Sequence, residues 1–141
     1  MFNDDQSVET LDQIARAHAA TGTQALLPTL ITDTPARSAA AIDAVERAIA
    51  ARIPGITGIH LEGPYLSHAR KGAHDPQLIR RMEDDDLALL LNAAQRIANV
   101  MVTVAPENTT PAQIKTLSEA GIIVSLGHSD ADMATCHAAF D

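Results

Sequence analysis

Two short words in the sequence bring together residues able to do chemistry. His60-Leu61-Glu62-Gly63-Pro64 and Gly127-His128-Ser129-Asp130 each close an apolar run, and they offer a carboxylate and an imidazole. Both are ligands for a divalent metal, and a hydrolytic site keeps one position open so that bound water is acidified. The plain alternatives are a solvated glutamate in a Gly-Pro turn and a histidine that caps the next helix. Two other runs end in polar residues, Thr29 to Asp33 and Ala105-Pro106-Glu107. Strand alternation sets His60 on the same side as Glu62. It is then either outer support for a metal site or a structural imidazole satisfied by hydrogen bonds. Glu107 reads as a structural or outer-support residue. Arg70 and Lys71 are candidate phosphate binders, with solvated loop charges an equally good reading. His18 and His137 fall on helix patterns as surface residues, His68 has no motif around it, and Cys136 reads as a packing residue.

These residues need strands and helices to position them. Ser7 begins a helix with Val8, Leu11, Ile14 and Ala15 at helical spacing, ending near Gly22. Residues 25–31 form a strand candidate that Pro28 must break or bulge. Thr34-Pro35 starts a helix that runs to about Ala51, with Ala41, Ile42, Val45, Ala48 and Ile49 on one face. Ile56 to Leu61 is a second strand, followed by a polar loop from Tyr65 to Pro76 and a short helical turn over Gln77 to Met82. A helix over Asp84 to Ala98 has acidic residues in its first turn, which suits the macrodipole. Val100 to Val104 is a strand, Thr110-Pro111 starts a helix that ends at Gly121, and Ile122 to Leu126 is a fourth strand. A last helix spans Asp130 to Phe140.

Strict alternation of strand and helix implies a parallel sheet with crossover helices. The strands are continuous apolar runs, as expected where both sheet faces are covered. An open doubly wound sheet and a (β/α)8 barrel both fit. No G-x-G-x-x-G or G-x-x-x-x-G-K-[ST] word occurs, which favours the barrel. A barrel needs about 250 residues, however, and this chain of 141 supplies four strands.

Composition narrows the function classes. The chain is 46% hydrophobic and 20% charged, with a formal net charge of −8. That acidity disfavours binding to a phosphate backbone, and 2% aromatics with no Trp leaves no base-stacking platform. The single Cys excludes an internal disulfide and a multi-Cys zinc site. No apolar run is long enough to span a membrane, and the N-terminus lacks a signal-peptide layout. The expectation is a cytoplasmic protein.

The words G-I-H-L-E-G-P-Y at 58–65, K-G-A-H at 71–74, V-A-P-E at 104–107 and G-H-S-D-A at 127–131 occur in one order, after A-L-L-P-T-L-I-T-D at 25–33. In this the chain resembles, essentially end to end, the N-acetylglucosamine-6-phosphate deacetylases of the amidohydrolase superfamily. The resemblance implies an α/β fold, a fragment of a metal-dependent (β/α)8 TIM barrel holding about four consecutive β/α units. Residues 1–141 would be the central part of a single barrel domain, truncated at both ends. The implied activity is removal of acetate from N-acetylglucosamine 6-phosphate; another acylated amino sugar or a cyclic amide is the rival substrate class, and a non-catalytic ligand-binding module the rival function.

The resemblance also assigns residues. Glu62 and His128 match metal ligands, and Ala73 and His74 match a pair that contacts the sugar. The cofactor is a divalent ion such as Zn, Fe, Mn or Co; the partner is a small-molecule amino-sugar phosphate; the full-length assembly is a homodimer. The second later metal histidine, in a T-H-x-x-N word, and the catalytic aspartate are expected beyond Asp141. An initial His-x-His pair would precede Met1. No catalytic residue is therefore expected within this chain, and it is expected to be inactive alone.

Overall fold

The computed structural model describes residues 2–139. Five α-helices and four strands alternate: α1 Val8–Ala19, β1 Thr29–Ile31, α2 Pro35–Ala50, β2 Ile59–Glu62, α3 Asp84–Arg96, β3 Val100–Val104, α4 Pro111–Glu119, β4 Ile123–Leu126 and α5 Met133–Ala138. The strands form one sheet in the order β1-β2-β3-β4, and every pairing is parallel. This sequential order has no reversal, so the sheet lacks the switch point that defines a doubly wound fold. It is the order of consecutive units in a β/α barrel.

Helix starts follow from the caps. Ser7, Thr34 and Thr110 each accept from a backbone N–H in the first turn, and Pro35 and Pro111 occupy positions where a missing N–H costs nothing. Glu83 caps α3 in a capping box with Asp86. The helices pack in sequence, α1 on α2, α2 on α3 and α3 on α4. Beneath them lies the core, where Leu30, Leu61 and Val102 meet Leu11, Ile42, Val45, Leu90 and Leu117. Each such fully buried aliphatic side chain stabilises the fold by roughly 1.5–3 kcal/mol.

The sheet's other face differs from the expectation of two covered faces. In-register partners place Thr29, His60, Met101 and Ile123 at one level, and Ile31, Glu62, Thr103 and Ser125 at the next. Among the described residues the helices pack on the first face; on the second, Ile123 is 53% exposed. At the outer edge of β1, the Asn3 carboxamide accepts from the Ile31 N–H and donates to the Ile31 carbonyl, each at 3.0 Å. It pairs both backbone groups as a neighbouring strand would.

Several element boundaries depart from expectation, among them the start of β2, at Ile59 rather than Ile56. Residues 25–31 shrink to β1 and an isolated bridge between Leu26 and Ile56, because Pro28 accepts from the His60 N–H but has no hydrogen to donate. The helical turn over Gln77 to Met82 is replaced by a turn at 76–78 and irregular chain. Its donors go elsewhere: the Arg80 N–H to the Pro64 carbonyl, the Met82 N–H to Asn108, and the Arg80 guanidinium to Asp86. The last helix begins at Met133 with Asp132 as its cap; its expected end at Phe140 lies outside the described residues. Among the described residues no helix is long and apolar enough to cross a membrane.

Candidate metal centre at the strand ends

Glu62 is the last residue of β2, and His128 stands two residues beyond β4. His128 Nε2 lies 3.0 Å from Glu62 Oε1. A third side chain, His74, comes back from the loop after β2, and its Nε2 lies 3.9 Å from Glu62 Oε2. Ligand atoms of Glu62, His74 and His128 all fall within 4.8 Å of one another. The two imidazoles meet edge to face, with ring centroids 4.8 Å apart. His74 is buried, while Glu62 and His128 are half-buried.

The loop reaches this position through close backbone contacts. Gly63 has φ +85, and a Cβ there would stand 2.2 Å from Thr32 Oγ1, so glycine alone lets the loop rest against Thr32. Thr32 then holds His74: its N–H donates to Nδ1 at 3.3 Å, and its hydroxyl lies 2.8 Å from the same nitrogen. Further along, Arg80 makes a bidentate pair with Asp86 and lies over the Tyr65 ring at 5.6 Å, which ties the loop to α3.

The fixed backbone partners distinguish the two histidines. A backbone N–H can only donate, so His74 Nδ1 accepts and Nε2 carries the proton. His128 is the reverse: its Nδ1 lies 2.9 Å from the Arg70 carbonyl, which can only accept. Nδ1 therefore carries the proton, and in the neutral ring Nε2 presents a lone pair to a carboxylate oxygen, also an acceptor. Two acceptors 3.0 Å apart call for a proton or a cation between them. A metal-binding imidazole shows this arrangement, with the far nitrogen donating to a carbonyl. The donor set thus fits a divalent ion on Glu62 and His128. His74 brings a hydrogen-bond donor to the same place. Burial holds His74 below the ordinary histidine range and His128 adds to this, while Glu62 works the other way.

His60 shares the face of Glu62, but both of its nitrogens are engaged by threonines: Nδ1 lies 3.0 Å from Thr29 Oγ1 and Nε2 2.8 Å from Thr103 Oγ1. Its imidazole joins β1, β2 and β3 in one cross-strand chain. Burial lowers its pKa, partly offset by Glu62. Ala73 is exposed beside His74. Glu107 accepts from Ser129 and from the Asp130 N–H. Arg70 is exposed and paired with Asp130 at 2.7 Å, and Lys71 is exposed. His18, His68 and His137 are exposed, and Cys136 is half-buried in α5. Sequence reasoning missed Thr32 as the partner of His74, and the meeting of His74 with Glu62 and His128. The only signals were Thr32 at a strand end and the K-G-A-H word.

Consecutive parallel β/α units, with ligand-type side chains gathered past the strand ends, define this molecule as a segment of a β/α barrel with a cluster able to hold a metal. Along nearly its whole length the chain is related to amino-sugar-phosphate deacetylases. It is 47% identical over 135 residues to an N-acetylgalactosamine-6-phosphate deacetylase of Shewanella, matching 96% of this chain and 34% of that protein. It is 36% identical over 140 residues to an N-acetylglucosamine-6-phosphate deacetylase of Haemophilus influenzae, matching 99% and 36%. The crystal structure of N-acetylglucosamine-6-phosphate deacetylase from Pasteurella multocida superimposes with a TM-score of 0.93 at 36% identity, covering 99% of this chain and 36% of that one. A mutant of the Mycobacterium smegmatis deacetylase, solved in complex with N-acetyl-D-glucosamine-6-phosphate, superimposes with a TM-score of 0.81 at 35% identity, covering 90% and 33%. No family model matches the chain. The chain spans about a third of the length of these relatives.

Proposed function

We propose that residues 1–141 are the central part of a single amidohydrolase-type barrel domain, in a cytoplasmic, homodimeric enzyme that removes acetate from an N-acetylhexosamine 6-phosphate. The observation that carries this reading is the opposed pair of acceptors, Glu62 Oε1 and His128 Nε2, 3.0 Å apart at the strand ends. Glu62 and His128 would hold a divalent ion, which when bound would supply Lewis acidity toward the acetyl carbonyl and acidify water. His74 offers its Nε2–H to a substrate oxygen, and its fixed tautomer spares it any reorganisation as negative charge develops there. Ala73, exposed beside it, lines the approach of the sugar. The proton for the leaving amine, and any further metal ligand, are assigned to the part of the relatives' length that this chain does not span.

The N-acetylglucosamine and N-acetylgalactosamine phosphates are both candidates. The Shewanella relative, at 47% identity, favours the galacto form. The test is acetate release by the full-length protein from both sugar phosphates and from unphosphorylated N-acetylglucosamine, with and without a chelator. Chelator-sensitive turnover of a phosphorylated sugar, at least tenfold faster than of the free sugar, is expected. Equal rates on the phosphorylated and free sugars would contradict the phosphate assignment; chelator-resistant turnover would contradict the metal.

A further inference from the structure

The geometry points to Glu107 as a positioning residue for His128, acting through the two residues that follow it; this rests on the metal reading above. His128 has φ 51, in the left-handed region that non-glycine residues seldom adopt. A residue held there is strained and persists only when its surroundings over-determine it. Two restraints come from the loop after β2, where the Ser67 N–H donates to the His128 carbonyl at 2.9 Å and the Arg70 carbonyl accepts from Nδ1. They grip His128 itself; beyond it the same loop adds an exposed side-chain pair, Arg70 with Asp130 at 2.7 Å, which does not engage the backbone N–H groups that follow His128.

Glu107 supplies what is missing. It lies past the end of β3, the strand between the one that carries Glu62 and the one that leads to His128. Its Oε1 accepts from the Asp130 N–H at 2.7 Å, and its Oε2 from the Ser129 hydroxyl at 2.8 Å. Ser129 Oγ in turn accepts from the Ala131 N–H at 2.9 Å. One carboxylate thus spans both residues after His128 and fixes the direction in which the chain leaves it. Burial pushes the carboxyl's pKa up. The backbone amides of Glu107 and Asp130 and the hydroxyls of Ser129 and Ser67 outweigh this and hold it below the ordinary range. The bonds are therefore charge-assisted. A neutral amide can still accept from the Asp130 N–H, but it offers the Ser129 hydroxyl an N–H in place of a charged acceptor, so the charge-assisted bond to Ser129 is lost.

The test is titration of the metal-free, full-length protein with Co2+, followed by the visible cobalt absorption, with the thermal midpoint of each metal-free protein recorded beside it. Glu107→Ala is expected to weaken cobalt affinity about tenfold, the low end for outer partners of a metal site, and to change the cobalt spectrum while the metal-free protein stays folded. Glu107→Gln is expected to recover part of that loss. Parental cobalt affinity in Glu107→Ala overturns the proposal. Should Glu107→Ala fail to fold, Glu107→Gln decides: parental affinity in that variant overturns the proposal equally, and weakened affinity supports it. Glu62→Gln is titrated alongside; if it too binds cobalt like the parent, the failure lies with the metal reading itself.

Discussion

The loops after β2 and β4 each deliver an imidazole to Glu62, and the two rings are held in opposite senses. A backbone donor just past β1, the Thr32 N–H, faces Nδ1 of His74; a backbone acceptor in the loop after β2, the Arg70 carbonyl, faces Nδ1 of His128. One histidine therefore presents a proton to the cleft and the other a lone pair. Residue type and distance alone would class both as ligands, since all three side chains lie within 4.8 Å. The partners behind the rings separate a ligand from a donor.

The contrast can be broken at either side. The largest expected effect is on turnover: His74→Asn removes the imidazole donor and is expected to lower kcat/KM by about 10²–10³, the range for loss of one donor to a developing oxyanion. Its metal affinity, measured by equilibrium dialysis of the full-length protein, should stay within about threefold of the parent, because outer groups alter affinity only when they hold a ligand. Next comes the packing that brings His74 in. Gly63→Ala puts a Cβ against Thr32 Oγ1 at a φ of +85, and denaturant unfolding should show a loss of about 1–3 kcal/mol.

The smallest effect concerns His60, which lies off the Glu62–His128 axis. Its pKa in the folded protein lies below the ordinary 6.5 because burial favours the neutral ring. The unfolded chain therefore takes up a proton first as pH falls. The stability contributed by His60 is fully present above pH 6.5 and is lost as pH falls from there toward the lower folded value. His60→Gln should flatten the stability–pH curve of the metal-free protein in that window. An unchanged slope would remove the threonine-bound imidazole from the account.

Much of this was legible in the residues. Glu62 and His128 close apolar runs, so strand alternation and the habit of barrels to gather chemistry past strand ends single them out. The caps at Ser7, Thr34 and Thr110 are local, and their helices start where expected. What could not be read depends on contacts distant in sequence. His74 reaches Glu62 because Gly63 rests on Thr32 and Arg80 pairs with Asp86, and no spacing rule encodes that path. The same Arg80–Asp86 pair helps override the helical turn expected over Gln77 to Met82. Likewise, the hydroxyls of Thr29 and Thr103 meet His60 only because the sheet register sets them side by side.

The most direct test of the central claim is the 15N spectrum of histidine-labelled, metal-free full-length protein before and after Zn2+ addition. His74 is expected to carry its proton on Nε2 and His128 on Nδ1, and zinc is expected to shift the Nε2 resonance of His128 to that of a metal-bound nitrogen while His74 keeps its Nε2 proton. Loss of the His74 Nε2 proton on zinc binding, or no change at His128 Nε2, would contradict that claim.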